Sequence, residues 1–181
     1  MTTNIITISK LDAARRQLRT AVTLWFTGGD PVSIHTLAFA AYEIMHVISK
    51  KRNPNRRDLL FDSAMIPDEV RKEYNLAFKK HANFFKHGDR DPDETIPFNP
   101  ALTESFIVFA IAAFEICGEP LSDEFVIFRE WSRIQKPYSL SKTEREVMEK
   151  NYGVEHLAHF RGMPKDRFYN EVKIRLRTPG S

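Results

Sequence analysis

The chain has 181 residues, of which 42% are apolar and 28% charged, a balance that suits a single globular domain with a real core and argues against intrinsic disorder. Lys and Arg number 27 against 24 Asp and Glu, and a net charge of +3 is too small to argue for nucleic-acid binding by itself. The single cysteine, Cys117, excludes a disulfide framework and a cysteine-rich zinc site, and in its apolar run it reads as a buried, inert thiol.

The opening "MTTNIITISKLD" lacks a basic start followed by an apolar segment, so no signal peptide is expected. The most apolar run, residues 105–117, carries Glu115 and is too short to span a bilayer. A soluble, cytoplasmic protein with no membrane partner is the expectation. Fourteen Phe and two Trp point to an aromatic core.

A first helix is predicted over residues 9–26. Ser9 with Asp12 resembles a capping box, with aspartate in place of the usual glutamate. Leu11, Ala14, Leu18, Val22 and Trp25 recur at spacings of three and four, and Arg15, Arg16 and Arg19 cover the opposite face. Gly28-Gly29 stops this helix, and Asp30-Pro31 starts the next as N-cap and first helical residue. The second helix runs to about residue 51 on a broad apolar face from Ile34 to Ile48, and the short connection makes the pair antiparallel neighbours.

"KKRNPNRR", residues 50–57, reads as a basic loop broken by Pro54, followed by a short helical piece over 58–64. A third helix starts at Pro67, with Asp68 and Glu69 suited to its first turn, and ends at Gly88. A polar, proline-bearing loop leads to Asn99-Pro100 and a fourth helix reaching Cys117. That helix is apolar nearly all round and is expected to be the most buried. A fifth covers 122–135. Beyond Pro137 the chain reads as short helices punctuated by Gly153, Gly162 and Pro164, and only "NIITI", residues 4–8, has strand character. The predicted fold class is all-α: an antiparallel four- to five-helix bundle over residues 1–136, with a short-helix C-terminal extension, 137–181, packing on it.

The densest chemistry lies in "AFKKHANFFKHGDRDPDE", residues 77–94. Val70, Tyr74, Ala77, His81 and Phe84 form one helical face, and Leu76, Lys80, Asn83 and His87 a second. His81, on the apolar stripe, reads as a core histidine with one backbone partner. His87 sits in the last turn, where the helix dipole favours an imidazolium, one turn from Asn83. Such a pair can act as a general acid or base. Equally, His87 can satisfy the open carbonyls of the helix end while Asn83 holds its ring.

The order of helices around the Gly-Gly turn, the basic loop and the string "ANFFKH", residues 82–87, resembles the HEPN superfamily over about residues 9–135. Many members carry Arg, a polar residue that is often Asn, three to five further residues and then His near a helix end. They are metal-independent ribonucleases or toxin components, and usually dimerise with two motifs facing each other. Asn83 and His87 match that pattern, but Ala82 stands at the arginine position. Alanine cannot stabilise the charge of a pentavalent phosphate. Lys80, Lys86 or Arg90 could supply charge but not a planar, bidentate fork. The resemblance therefore implies a HEPN-like bundle that binds RNA, a nucleotide or a partner protein, as a homodimer and without a cofactor. A weak ribonuclease using His87 is the alternative.

Other constellations are less complete. Glu43 and His46 form the Glu-x-x-His half of a di-iron bundle site, but no second copy follows, so a metal-binding bundle is a distant third reading. They could instead form a polar pair at the bundle's edge. His35, Phe39, Tyr42 and His46 share a face that could line a pocket or a dimer interface, or pack in the core with polar tips at its edge. Lys50, Lys51, Arg52, Arg56 and Arg57 could contact phosphates, or form a solvated loop with no aromatic between them for base stacking. No phosphate-cradling glycine loop, GxSxG elbow or HExxH motif is present.

Overall fold

Two caps set the first corner of the molecule. Ser9 Oγ accepts from the Asp12 amide at 3.0 Å, and Asp12 accepts from the Ser9 amide at 3.3 Å, so α1 (Lys10–Phe26) opens on a full capping box. Asp30 accepts from the Ser33 amide at 2.7 Å, and Pro31 leads α2 (Pro31–Arg52). Between them Gly28 takes a φ of 71°, a conformation that favours glycine, and a Cβ on Gly29 would lie 2.8 Å from the Leu24 side chain. Both glycines are therefore required for α2 to fold back along α1.

The computed structural model describes residues 5–57, 60–89 and 92–177, and over these the chain is all-helical. After α2 come α3 (Asp68–Lys86), α4 (Leu102–Ile116), α5 (Asp123–Gln135), a 3-10 turn (Pro137–Ser139), α6 (Lys142–Tyr152), α7 (Val154–Gly162) and α8 (Lys165–Arg177). Among the described residues there is no strand; residues 5–8 of the strand-like segment are coil with Ile5 and Ile6 exposed, and Asn4 lies outside the described residues. The short helix expected over 58–64 is absent: residues 60–64 form bends and turns, and 58–59 lie outside the described residues.

α2 is the central helix, packed on α1 along one side and α4 along the other. By length and composition α2 could cross a membrane, but 44% of its apolar window is buried inside this fold. α4 is the most buried element, with eight of its 15 residues buried. Between α1 and α5 lies an aromatic cluster in which Phe26 meets Phe128 and Trp131 edge to face, each at 5.9 Å. The C-terminal helices add to this same core. Phe168 and Tyr169 of α8 stack on Phe26 at 6.4 and 5.0 Å, and Phe160 of α7 meets Phe168 at 5.6 Å.

α3 is the exception. Of its 19 residues only Ala82 is fully buried. Its inner face is not the predicted stripe, since Tyr74 is half exposed and Ala77 exposed. Arg71 and Asn75 turn inward instead. Arg71 donates to the carbonyls of Ser63 and Ile66 at 2.8 and 2.6 Å, and Asn75 to that of Phe61 at 3.1 Å. These side chains satisfy the open carbonyls of the preceding turns, and that rotates the helix away from the orientation its apolar pattern alone would choose.

Candidate functional site

The C-terminal half of α3 and the loop after it enclose an open cleft of about 430 Å³, lined by Lys80, Asn83, Phe84, His87 and residues 94–97. Asn83 and His87 thus meet in one cavity, though not as a helical stack. α3 ends at Lys86, and His87 is its C-cap, with φ −120° and ψ 106° and its amide bonded to the Asn83 carbonyl at 3.1 Å. The helix stops two residues before Gly88, so the imidazole leaves the helical path. Among the described residues neither the Asn83 nor the His87 side chain has a hydrogen-bond partner, and His87 does not donate to the open carbonyls of the helix end.

Ala82 stands where the HEPN resemblance would place an arginine. It is 0% exposed, on the side of α3 that meets the bundle. A guanidinium at that position would be driven into the core rather than into the cleft.

The basic residues scatter. Lys80 is exposed and lines the cleft. Lys86 turns back toward α2, 3.4 Å from Glu43 and over the ring of Phe39 at 5.2 Å. Arg90 lies outside the described residues. Lys50, Lys51 and Arg52 are not loop residues but the last turn of α2. Lys50 pairs with Asp62, Arg52 with Glu119 at 2.8 Å and Arg57 with Asp68 at 3.8 Å. Within residues 50–57 it is Lys51 and Arg56 that have no ion pair among the described residues. The run of like charge in sequence is thus partly neutralised by acids that the fold brings from elsewhere.

Glu43 and His46 do not pair with each other. Glu43 faces Lys79 at 3.8 Å and Lys86 at 3.4 Å, while His46 lies edge-on to Phe61 at 5.2 Å. Among the described residues no group of three or more His, Cys, Asp or Glu is placed to hold a metal. Cys117 is half-buried at the C-cap of α4, less enclosed than its apolar run implied.

A second polar centre lies deeper, behind α3. His35 is 1% exposed, with Nδ1 3.0 Å from the Thr103 hydroxyl. Phe98, Phe106, Phe85 and Phe39 surround it at 5.1 to 6.2 Å, and His81 meets it edge-on at 6.2 Å. Burial, with smaller contributions from His81 and Lys86, lowers its pKa to about 4, so the ring is neutral at ordinary pH. Its Nε2 is buried and has no hydrogen-bond partner. His81 is half-buried, and its Nε2–H donates to the Pro97 carbonyl at 3.0 Å, tying α3 to the loop ahead of α4. The single backbone partner expected for His81 is present. The mixed stripe of His35, Phe39 and Tyr42 was the available signal for the deeper centre, but nothing local pointed to Thr103.

Comparison with family models gives no match, and none is found among curated proteins or solved structures.

Proposed function

We propose that this chain is a HEPN-like helical bundle that binds RNA or a nucleotide in the outer cleft of α3 without cleaving it, acting in the cytoplasm as a homodimer. The observation that carries this reading is the joint placement of Lys80, Asn83, Phe84 and His87 around one open cleft while Ala82 is held in the core. Several lining groups have a counterpart in a nucleotide, although Glu94 adds one negative charge to the lining. Lys80 offers a point charge to a phosphate, and the partly exposed ring of Phe84 a face for a base. The Asn83 amide and the Thr95 hydroxyl can bond a base edge or a 2′-hydroxyl. A volume of about 430 Å³ is within the range of small-ligand sites. Among the described residues the cleft lining holds no planar cation to stabilise charge at phosphorus, and this favours binding over cleavage.

A metal-independent ribonuclease is the second reading, favoured by the uncommitted imidazole of His87 beside Asn83. Fluorescence anisotropy with a labelled single-stranded RNA separates the two. Lys80→Ala and Asn83→Ala are each expected to weaken binding by roughly fivefold or more, with Lys80→Ala also lowering the salt dependence. RNA that binds both variants as well as wild type would exclude this cleft. EDTA-resistant cleavage that disappears in His87→Ala would establish the ribonuclease instead. Light scattering at the same concentrations reads the dimer.

A further inference from the structure

We propose a second ligand site in the groove between α3 and α4, selective for a small neutral aromatic that carries a hydroxyl group, of the phenol or naphthol class. It is separate from the outer cleft and does not rest on the nucleotide reading. The groove encloses about 310 Å³. Its walls are apolar, formed by Ala77 and Phe78 of α3 and by Leu102, Phe106 and Phe109 of α4. The few polar groups lining it include His35, at its inner side.

His35 supplies the selectivity. Its Nδ1 is held by Thr103, and its Nε2 is one of five buried side-chain atoms without a partner among the described residues, and the one that lies on a residue lining this groove. A ligand atom that bonds Nε2 would relieve that deficit. The Thr103 hydroxyl can either donate to Nδ1 or accept from it, so Nε2 is correspondingly a donor or an acceptor. A phenolic hydroxyl can meet it in either form, whereas an ether meets only one. Apolar walls and a neutral imidazole disfavour a charged ligand.

Access comes from α3. Nε2 is closed to water in this structure, so the ligand reaches it as the middle of α3 moves outward. This helix is suited to do so, since Ala82 is its only fully buried residue. Its remaining polar ties include the bonds of Arg71 and Asn75 at one end, that of His81 toward the other, and the half-exposed pairs of Lys79 and Lys86 with Glu43. Tyr74 and Leu102, 50% and 47% exposed, give an incoming aromatic ring a landing surface beside the groove.

The test uses the full chain, with 2-naphthol and naphthalene as probes, read by calorimetry and by ligand-observed NMR. Wild type is expected to bind 2-naphthol about tenfold more tightly than naphthalene, the discrimination of one satisfied buried polar group. His35→Phe should bind the two equally. Ala77→Trp, at an exposed position on the groove wall, should abolish binding of both while the helical circular dichroism stays unchanged. Lys80→Ala in the outer cleft should leave naphthol binding intact. The proposal is overturned if wild type binds neither probe or does not prefer the hydroxyl. It is equally overturned if Ala77→Trp binds as well as wild type, or if a folded His35→Phe keeps the preference. Should His35→Phe fail to fold, Ala77→Trp and the naphthalene comparison decide the matter.

Discussion

His35 on α2 and Thr103 on α4 are joined by a 3.0 Å hydrogen bond although 68 positions separate them in the chain. The bond links the central helix to the most buried one, inside a box of phenylalanine rings. It commits one imidazole nitrogen and leaves the other unpaired. Nothing in the box can support a charge, so the histidine stays neutral well below its ordinary pKa of 6.5.

A pH dependence follows with a definite sign. Above about pH 6.5 His35 is neutral in both folded and unfolded chains and leaves stability unaffected. Below it the unfolded chain takes up a proton that the folded chain refuses until about pH 4, so stability falls as the pH drops through that window. The loss at pH 5 should be about 2 kcal/mol, and roughly 3 kcal/mol once the window is crossed. Urea midpoints at pH 7.5 and pH 5 check this. Wild type should lose more than His35→Phe over the interval, and equal losses would assign the acid sensitivity to other groups.

Thr103→Val keeps the shape of the side chain but leaves both nitrogens of His35 unpaired. It should cost about 1–2 kcal/mol, measured as a shift of the urea midpoint at pH 7.5. Combined with His35→Phe the cost should be clearly less than the sum, because the bond is already gone. Additive costs would mean that the two side chains do not act together.

Ala82→Arg introduces the residue that the proposed HEPN resemblance would place there, yet it should weaken the protein rather than activate it. The position is fully buried, and an unpaired guanidinium there should cost about 3 kcal/mol or more, or force α3 off the bundle. Faster hydrogen exchange along α3, with α1 and α2 unchanged, would be the signature. A folded variant that gains ribonuclease activity would show that the arginine can turn into the cleft.

Tyr169→Ala tests whether the C-terminal helices belong to the main core. Tyr169 is 5% exposed and stacks on Phe26 at 5.0 Å, so truncation should cost roughly 2–4 kcal/mol. A single unfolding transition, shifted as a whole, is the expected calorimetric trace. A separate early transition would mark the extension as an independent unit.

Much of the helical framework was legible because its signals are local. The capping box at Ser9, the Asp30-Pro31 start and the Gly28-Gly29 turn involve residues within a few positions of one another. Each specifies a backbone conformation without help from the rest of the fold. The burial of α4 was legible for a related reason, since a helix apolar on every side has nowhere else to go. α3 defeated the same reasoning. Its apolar pattern competes with Arg71 and Asn75, whose partners are carbonyls of a turn that periodicity does not describe.

The sequence by itself therefore determined an all-helical chain, most of its helix boundaries and a short list of reactive side chains. Tertiary structure decided what those side chains are free to do. It gathered Asn83, His87 and Lys80 into one cleft, and turned Ala82 and Lys86 back toward the bundle. It paired Lys50, Arg52 and Arg57 with acids from elsewhere in the fold, and buried His35 against a threonine two helices away. The division has a physical basis. Backbone conformation is set by neighbours in the chain, whereas charge state, hydrogen bonding and accessibility are set by neighbours in space, and only the packed helices define those.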